Sequence, residues 1–266
     1  MTAPALALKK LAFRFGYDFT FRKLPQHALR NRELKIPRDM EPEFAEIFTQ
    51  VRDLTLTSPD CIYALYAATR HVVEQDLPGD LVECGVWRGG SAMTMALTLK
   101  QMGVTDRQIY LYDTYTGMVK PEAVDVRQRD GMEQIGRWEM NQRDDHNDWC
   151  YAPLDEVTRN MESTGYPMDN LHFVKGDVEQ TIPETAPEGI ALLRLDTDWY
   201  RSTYHELVHL YPRLTPRGFL IIDDYGAYEG SRKATDQYFR EQAVDGVPTP
   251  YLNRIDTAAR IGVKPA

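Results

Sequence analysis

Nowhere does the chain carry an apolar run close to the roughly 20 residues a helix needs to cross a bilayer, so no membrane span is expected. Cysteine is scarce as well. Cys61, Cys84 and Cys150 are scattered, with no C-x-x-C pair, so neither a disulfide framework nor a thiolate metal site is expected. A reducing cytoplasm is the compartment this usage points to. The opening MTAPALALKKLAFRFGYDF is broken by Lys9, Lys10 and Arg14, and no small-residue cleavage site follows, so it does not read as a secretory leader. Positive charge is in deficit too: 31 Lys and Arg stand against 40 Asp and Glu, a formal net charge of −9. Phosphate would be repelled by such a surface, which argues against bulk nucleic-acid binding. Repeats, low-complexity tracts and the dinucleotide fingerprint G-x-G-x-x-G are also missing.

What is present suits a folded domain: 266 residues can bury a full core. Charge is unevenly spread. Met1 to Arg38 holds nine Lys and Arg against Asp18 and Glu33, a local +7 that leaves −16 for the remainder. That basic head could lie on the acidic body, on a partner subunit or on an anionic membrane. Residues 1–75 read as a helical extension. ALALKKLAFRF and MEPEFAEIFTQVRDLTLT carry apolar stripes at helical spacing, and SPDCIYALYAATRHVVEQ begins with Ser58 as N-cap and Pro59 at the first helical position.

A different regime runs over residues 76–266, opened by the turn signal PGD. Short greasy runs, DLVECGV, QIYLYD, LHFVKGD, IALLRLD and GFLIIDD, alternate with helical patterns such as GGSAMTMALTLKQMG and YRSTYHELVHLYPRL. YLNRID and AARIGVK read as a closing hairpin. The fold class expected is α/β: a doubly wound, mostly parallel seven-stranded sheet with an antiparallel last strand and helices on both faces. Tyr115 to Cys150 interrupts the alternation with a polar insertion containing Trp138, His146 and Trp149. It reads as a lid over the carboxyl edge of the sheet or as a solvated excursion.

The turn after the first strand, LVECGVWRGGSAM, has the glycine order G-x-x-x-G-G. Glycine lets a ligand approach the backbone. Glu83 just before it would repel a pyrophosphate and suits an ammonium group instead. Asp113, closing the second strand, is placed to accept from a ribose diol. Asp177, after the third, could accept from an adenine amino group. A nucleoside without phosphates, joined to an amino acid, describes S-adenosylmethionine. Read singly, Glu83 is also compatible with a capped edge residue and Asp113 with a turn former.

LLRLDTDWY and GFLIIDDYG pose the sharper problem, because each greasy run ends in acids that are costly to bury unpaired. If the two strands are neighbours, Asp196, Asp223 and Asp224 converge, and converging carboxylates call for a cation. With oxygen donors and no His or Cys, Mg²⁺ is the natural ion, with Mn²⁺ and Ca²⁺ as the alternatives. Asp198, two residues past Asp196, would share its side of an extended backbone and serve as a base. The bland alternatives are a helix cap at Asp196 or Asp198 and a turn at Asp223–Asp224. Trp87, Trp199, Tyr200, Tyr225 and Tyr228 could stack on a sugar or adenine, or simply pack. His205 and His209 sit at i, i+4, but the acids already account for a site.

LVECGVWRGGSAM, LYDTYTGM, RLDTDWYRSTYHELVHLYPRLTPRGFLIIDDYG and GSRKATDQYF resemble the TylF/MycF macrocin O-methyltransferases, from about Leu54 to the C-terminus. The resemblance implies a class I S-adenosylmethionine-dependent methyltransferase acting on a sugar hydroxyl of a natural product. It implies Mg²⁺ ligands at Asp196, Asp223 and Asp224 and a base at Asp198. Cofactor contacts are implied at Glu83, Gly85, Trp87, Ser91, Asp113, Gly117, Met118 and Asp177. A mobile lid around Met118 to Trp149 and self-association into a dimer or larger oligomer are implied as well. A catechol-type O-methyltransferase and a non-catalytic cofactor-binding protein are the competing readings.

Overall fold

The computed structural model describes residues 36, 37 and 39–266. Met40–Ala266 forms one compact unit. The first helix expected, in ALALKKLAFRF, and nearly all of the basic head lie outside the described residues.

Two helices open this compact unit, α1 (Pro42–Val51) and α2 (Pro59–Glu74). Ser58 caps α2 as its sequence requires, with Oγ accepting from Cys61 N at 3.3 Å and Pro59 at the first position. Then follow β1 (Asp80–Cys84), α3 (Gly90–Gln101) and β2 (Ile109–Asp113). The insertion is not featureless. It holds a small antiparallel pair, β3 (Val126–Arg127) with β4 (Met132–Glu133), and a helix α4 (Ile135–Asn141). Beyond it come α5 (Leu154–Ser163), β5 (Leu171–Lys175), the single turn α6 (Val178–Thr181) and β6 (Ile190–Leu195). The chain closes with α7 (Tyr200–Leu210), β7 (Leu214–Ile222), α8 (Glu229–Val244) and the hairpin β8 (Asn253–Arg254) and β9 (Arg260–Val263).

The seven-stranded sheet has the order β5-β2-β1-β6-β7-β9-β8. β5, β2, β1, β6 and β7 are parallel, whereas β9 runs antiparallel to both β7 and β8. One helix group joins α3 to α1, α2 and α5, a second joins α7 to α6 and α8, and helices cover both sides of the sheet. Burial on both sides explains the greasy runs: every residue of β6 is buried. The chain winds outward from β1 to β2 and β5, then returns to β6 on the other flank of β1. The carboxyl ends of β1 and β6 therefore flank a topological switch point, where open α/β sheets form their ligand crevice.

One buried acid in this frame belongs to stability. Glu206 on α7 is fully buried, and both of its oxygens accept from Thr197 Oγ1, at 3.0 and 3.1 Å. Burial holds its carboxyl well above the ordinary carboxylate range, and the Thr197 bond opposes this only in part. The folded protein thus keeps a proton that the unfolded chain releases above about pH 4.3. By linkage, stability falls as pH rises from that point toward the raised value. Glu206→Gln removes this part of the slope. Between roughly pH 5 and pH 8 its urea midpoint should shift less than that of the wild type, whereas a steeper shift would mean that Glu206 is ionised in the fold.

Candidate active site

β6 and β7 are hydrogen-bonded neighbours, and backbone bonding continues one residue past each, from Asp196 to β1 and from Asp223 to β6. Asp196 N donates to Cys84 O at 2.8 Å and Asp223 N to Leu195 O at 2.9 Å. These bonds fix the backbone on which Asp196, Asp223 and Asp224 stand. One carboxylate oxygen from each of the three lies within 4.8 Å of the others, the one group of this kind among the described residues. Burial raises the carboxyls of Asp196 and Asp224 well above the ordinary range, and the neighbouring carboxylates add to the rise. Arg194 opposes it at both. Such a set favours an added positive charge.

Part of that charge comes from a residue the sequence reading passed over. Arg194, on β6, has its side chain only 2% exposed. Its Nη1 donates to Glu83 Oε1 at 2.7 Å and to Asp196 Oδ2 at 2.8 Å, and its Nη2 donates to Thr57 Oγ1 at 3.0 Å. Nη2 also lies 2.8 Å from Asp223 Oδ1, an ion contact whose angle falls short of a hydrogen bond. A lone cation inside LLRLD, two residues before an acid on the same strand face, was the available signal.

Asp198 reaches the site by a route that strand periodicity does not supply. β6 ends at Leu195, and Asp198 adopts a left-handed φ of +67° in the turn before α7. Its backbone N donates to Asp224 Oδ2 at 3.1 Å. Burial, then the charge of Asp196, raises its carboxyl well above the usual value. The helix-cap alternative fails here, because Trp199 is the N-cap of α7 and makes no side-chain cap bond.

These acids open into a cavity of about 1120 Å³. Gly85, Trp87, Ser91, Asp113, Gly117, Met118 and Asp177 all line it, together with Asp196, Asp198, Asp223 and Asp224. Asp113 organises the glycine turn: Oδ2 accepts from Val86 N at 2.7 Å and Trp87 N at 3.0 Å, and Oδ1 from Tyr115 N at 2.7 Å. Asp177 caps α6, accepting from Glu179 N at 3.0 Å. Glu83 stands apart from the lining. It is fully buried beneath the turn, engaged by Arg194 through one oxygen, with the other oxygen unpartnered. Burial pushes its carboxyl up to about 7. This position separates it from the ammonium contact expected of it.

The insertion supplies one wall. Val119 O accepts from Trp199 Nε1 at 2.9 Å, and Met118 O accepts from Trp138 Nε1 at 2.7 Å. Trp149, Trp199 and Tyr228 meet edge to face, with centroids 5.6 and 5.0 Å apart, and all three line the cavity. Asp125, almost fully buried, accepts from Tyr200 N at 2.8 Å and pins the insertion to the start of α7. Tyr200 and Tyr225 instead bond through their hydroxyls to Gln237 and Asp236, both at a distance from the acids in sequence and both on α8. His205 Nε2 contacts Ile182 O at 3.0 Å, and the His205–His209 pair joins no metal-ligating group among the described residues.

Comparisons with known proteins agree with this layout. Residues 50–261 match the family model described as Macrocin-O-methyltransferase (TylF). The chain is 37% identical over 171 residues to 8-demethyl-8-(2,3-dimethoxy-alpha-L-rhamnosyl)-tetracenomycin-C 4'-O-methyltransferase from Streptomyces olivaceus, covering 63% of this chain and 60% of that protein. It is 35% identical over 173 residues to mycinamicin III 3''-O-methyltransferase from Micromonospora griseorubida, covering 64% and 65%. The chain thus spans less than two thirds of the length of these relatives. Among solved structures, the O-methyltransferase NovP superposes with a TM-score of 0.69 at 26% identity, covering 80% of this chain and 83% of that one.

The glycine turn gives the test for this cavity. A Cβ on Gly85 would lie 2.0 Å from Asp196 O, at a left-handed φ of +84°. Gly85→Ala should lower unfolding free energy by about 1–3 kcal/mol and shrink the thermal stabilisation given by S-adenosylhomocysteine. Unchanged stability and unchanged ligand response would separate this turn from the binding site.

Proposed function

The chain belongs to the macrocin O-methyltransferase family, and on that premise we propose that it methylates a sugar hydroxyl of a glycosylated natural product, using S-adenosylmethionine and Mg²⁺. The observation that carries the reading is the meeting of three strand-tip carboxylates with the glycine turn in one cavity. The acceptor class rests on the relatives, whose names specify a rhamnosyl tetracenomycin and mycinamicin III.

The residues suit both groups. Three carboxylates without His or Cys form a hard oxygen donor set, which matches Mg²⁺. Asp196, Asp223 and Asp224 would hold the ion; when bound, it supplies Lewis acidity that eases deprotonation of an acceptor hydroxyl. S-adenosylmethionine supplies an already activated methyl group. Gly85, Trp87 and Ser91 would cradle its amino-acid end, while Asp113 and Asp177 offer acceptors to its ribose and adenine. Gly117 and Met118 would close over it from the base of the insertion.

The chain's own contribution is then position and proton transfer. Trp149, Trp199 and Tyr228 present an aromatic wall against which a sugar face can rest. The insertion, latched through Asp125 and Trp199, excludes water and acts as the lid. Asp198 takes the proton from the acceptor hydroxyl as the oxygen–methyl bond forms and the sulfur–methyl bond breaks, leaving S-adenosylhomocysteine. Burial and the charge of Asp196 raise its carboxyl, and a dication held by Asp196, Asp223 and Asp224 would offset that rise and keep Asp198 ionised to accept the proton. Cytoplasmic location and self-association, both expected from the sequence, belong to the same proposal.

Asp198→Asn tests the assignment. It should retain S-adenosylhomocysteine binding by calorimetry while methyl transfer to a glycoside falls by about 10²-fold or more. Near-normal turnover would remove Asp198 as the base. Methylation of catechols with none of glycosides would replace the acceptor class, and no transfer to either by the wild type would favour a non-catalytic binder.

A further inference from the structure

We propose that Arg194 is a positioning residue that makes the acidic site selective for Mg²⁺ over Ca²⁺, an inference that rests on the metal reading above. One oxygen of Asp196 and one of Asp224 accept hydrogen bonds from the protein, and one of Asp223 stands in ion contact with Arg194. Arg194 Nη1 donates to Asp196 Oδ2 at 2.8 Å. Arg194 Nη2 lies against Asp223 Oδ1 at 2.8 Å. Asp198 N donates to Asp224 Oδ2 at 3.1 Å. These contacts bias each carboxylate toward meeting a cation through one oxygen rather than two.

Cation chemistry distinguishes between these arrangements. Ca²⁺ takes 6–8 oxygens at longer distances and commonly uses carboxylates through both oxygens. Mg²⁺ demands six ligands in an octahedron and accepts carboxylates singly, with waters or substrate oxygens completing the shell. A guanidinium is suited to enforce the second pattern, since its planar fork holds two acids in fixed directions. Its own freedom is small. The side chain is buried, anchored from behind by Glu83 Oε1 at 2.7 Å and at its edge by Thr57 Oγ1 at 3.0 Å. If Arg194 were only a charge balancer, a lysine would replace it with little effect on which ion binds. As a directing fork, it cannot be replaced so.

Displacement of Mn²⁺ by Mg²⁺ and by Ca²⁺, followed through the electron paramagnetic resonance of free Mn²⁺, reads the preference without turnover. Wild type should bind Mg²⁺ at least about tenfold more tightly, relative to Ca²⁺, than Arg194→Lys does. Thr57→Val, a change at a partly exposed loop residue, loosens the fork without removing it and should move the ratio about threefold in the same direction. It keeps the question open to measurement should Arg194→Lys not fold. A Mg²⁺/Ca²⁺ ratio unchanged from wild type in whichever variants fold overturns the proposal. So does a wild type that binds both ions equally. A wild type that binds none of the three ions overturns the metal reading itself along with it.

Discussion

A single buried guanidinium ties three strands together at the edge where the chemistry lies. Arg194 reaches Glu83 on β1, Asp196 beyond β6 and Asp223 beyond β7. Removing one partner from such a buried set typically costs about 3–5 kcal/mol, because the remaining charges are left uncompensated. Even so, the acids outnumber the cations when Asp198 and Asp224 are included, since Arg137 adds only a lesser opposing charge at Asp198. Burial and mutual repulsion raise the carboxyls of Asp196, Asp198 and Asp224. The fold tolerates the excess where a dication would relieve it, along the wall of the cavity.

The sheet order explains why the acids and the glycine turn share that cavity. β1 and β6 are adjacent in space but far apart in sequence, and the chain leaves them in opposite directions. Gly85 crosses Asp196 O so closely that no side chain fits between them. A contact with the glycine turn is thus one backbone away from a contact with the acids. The insertion adds the third side: Asp125 and Trp199 bind it to the same turn that carries Asp198. The proposed cofactor, ion and acceptor sites would in this way share a few backbone segments.

Much of this was legible from the chain because burial on both faces leaves a plain signal. The greasy runs became strands, Ser58 and Pro59 became a cap, and the final hairpin formed as its spacing suggests. The acids at the tips of neighbouring strands followed from the same pattern. Elsewhere the signal was local and the cause was not. Asp198 was assigned to its side by strand periodicity, yet a left-handed turn carries it there, and single positive-φ residues other than glycine leave no composition mark. Arg194 was hidden by its company, because a charged residue in a greasy run matters only through partners far along the chain. α5 was passed over although Leu154, Val157 and Met161 stand at i, i+3 and i+7 on it. Glu83 read as a ligand contact from sequence neighbours alone, and its partner on β6 turned it inward.

The account stands or falls on where a divalent ion sits relative to the methyl donor. A crystal grown with S-adenosylhomocysteine and Mn²⁺, measured at the manganese edge, settles it most directly. The expected result is one anomalous peak bridging Asp196, Asp223 and Asp224, on the side of the cavity that faces the ligand's sulfur. A peak at other residues, or a fully occupied ligand with no peak at these acids, would contradict it.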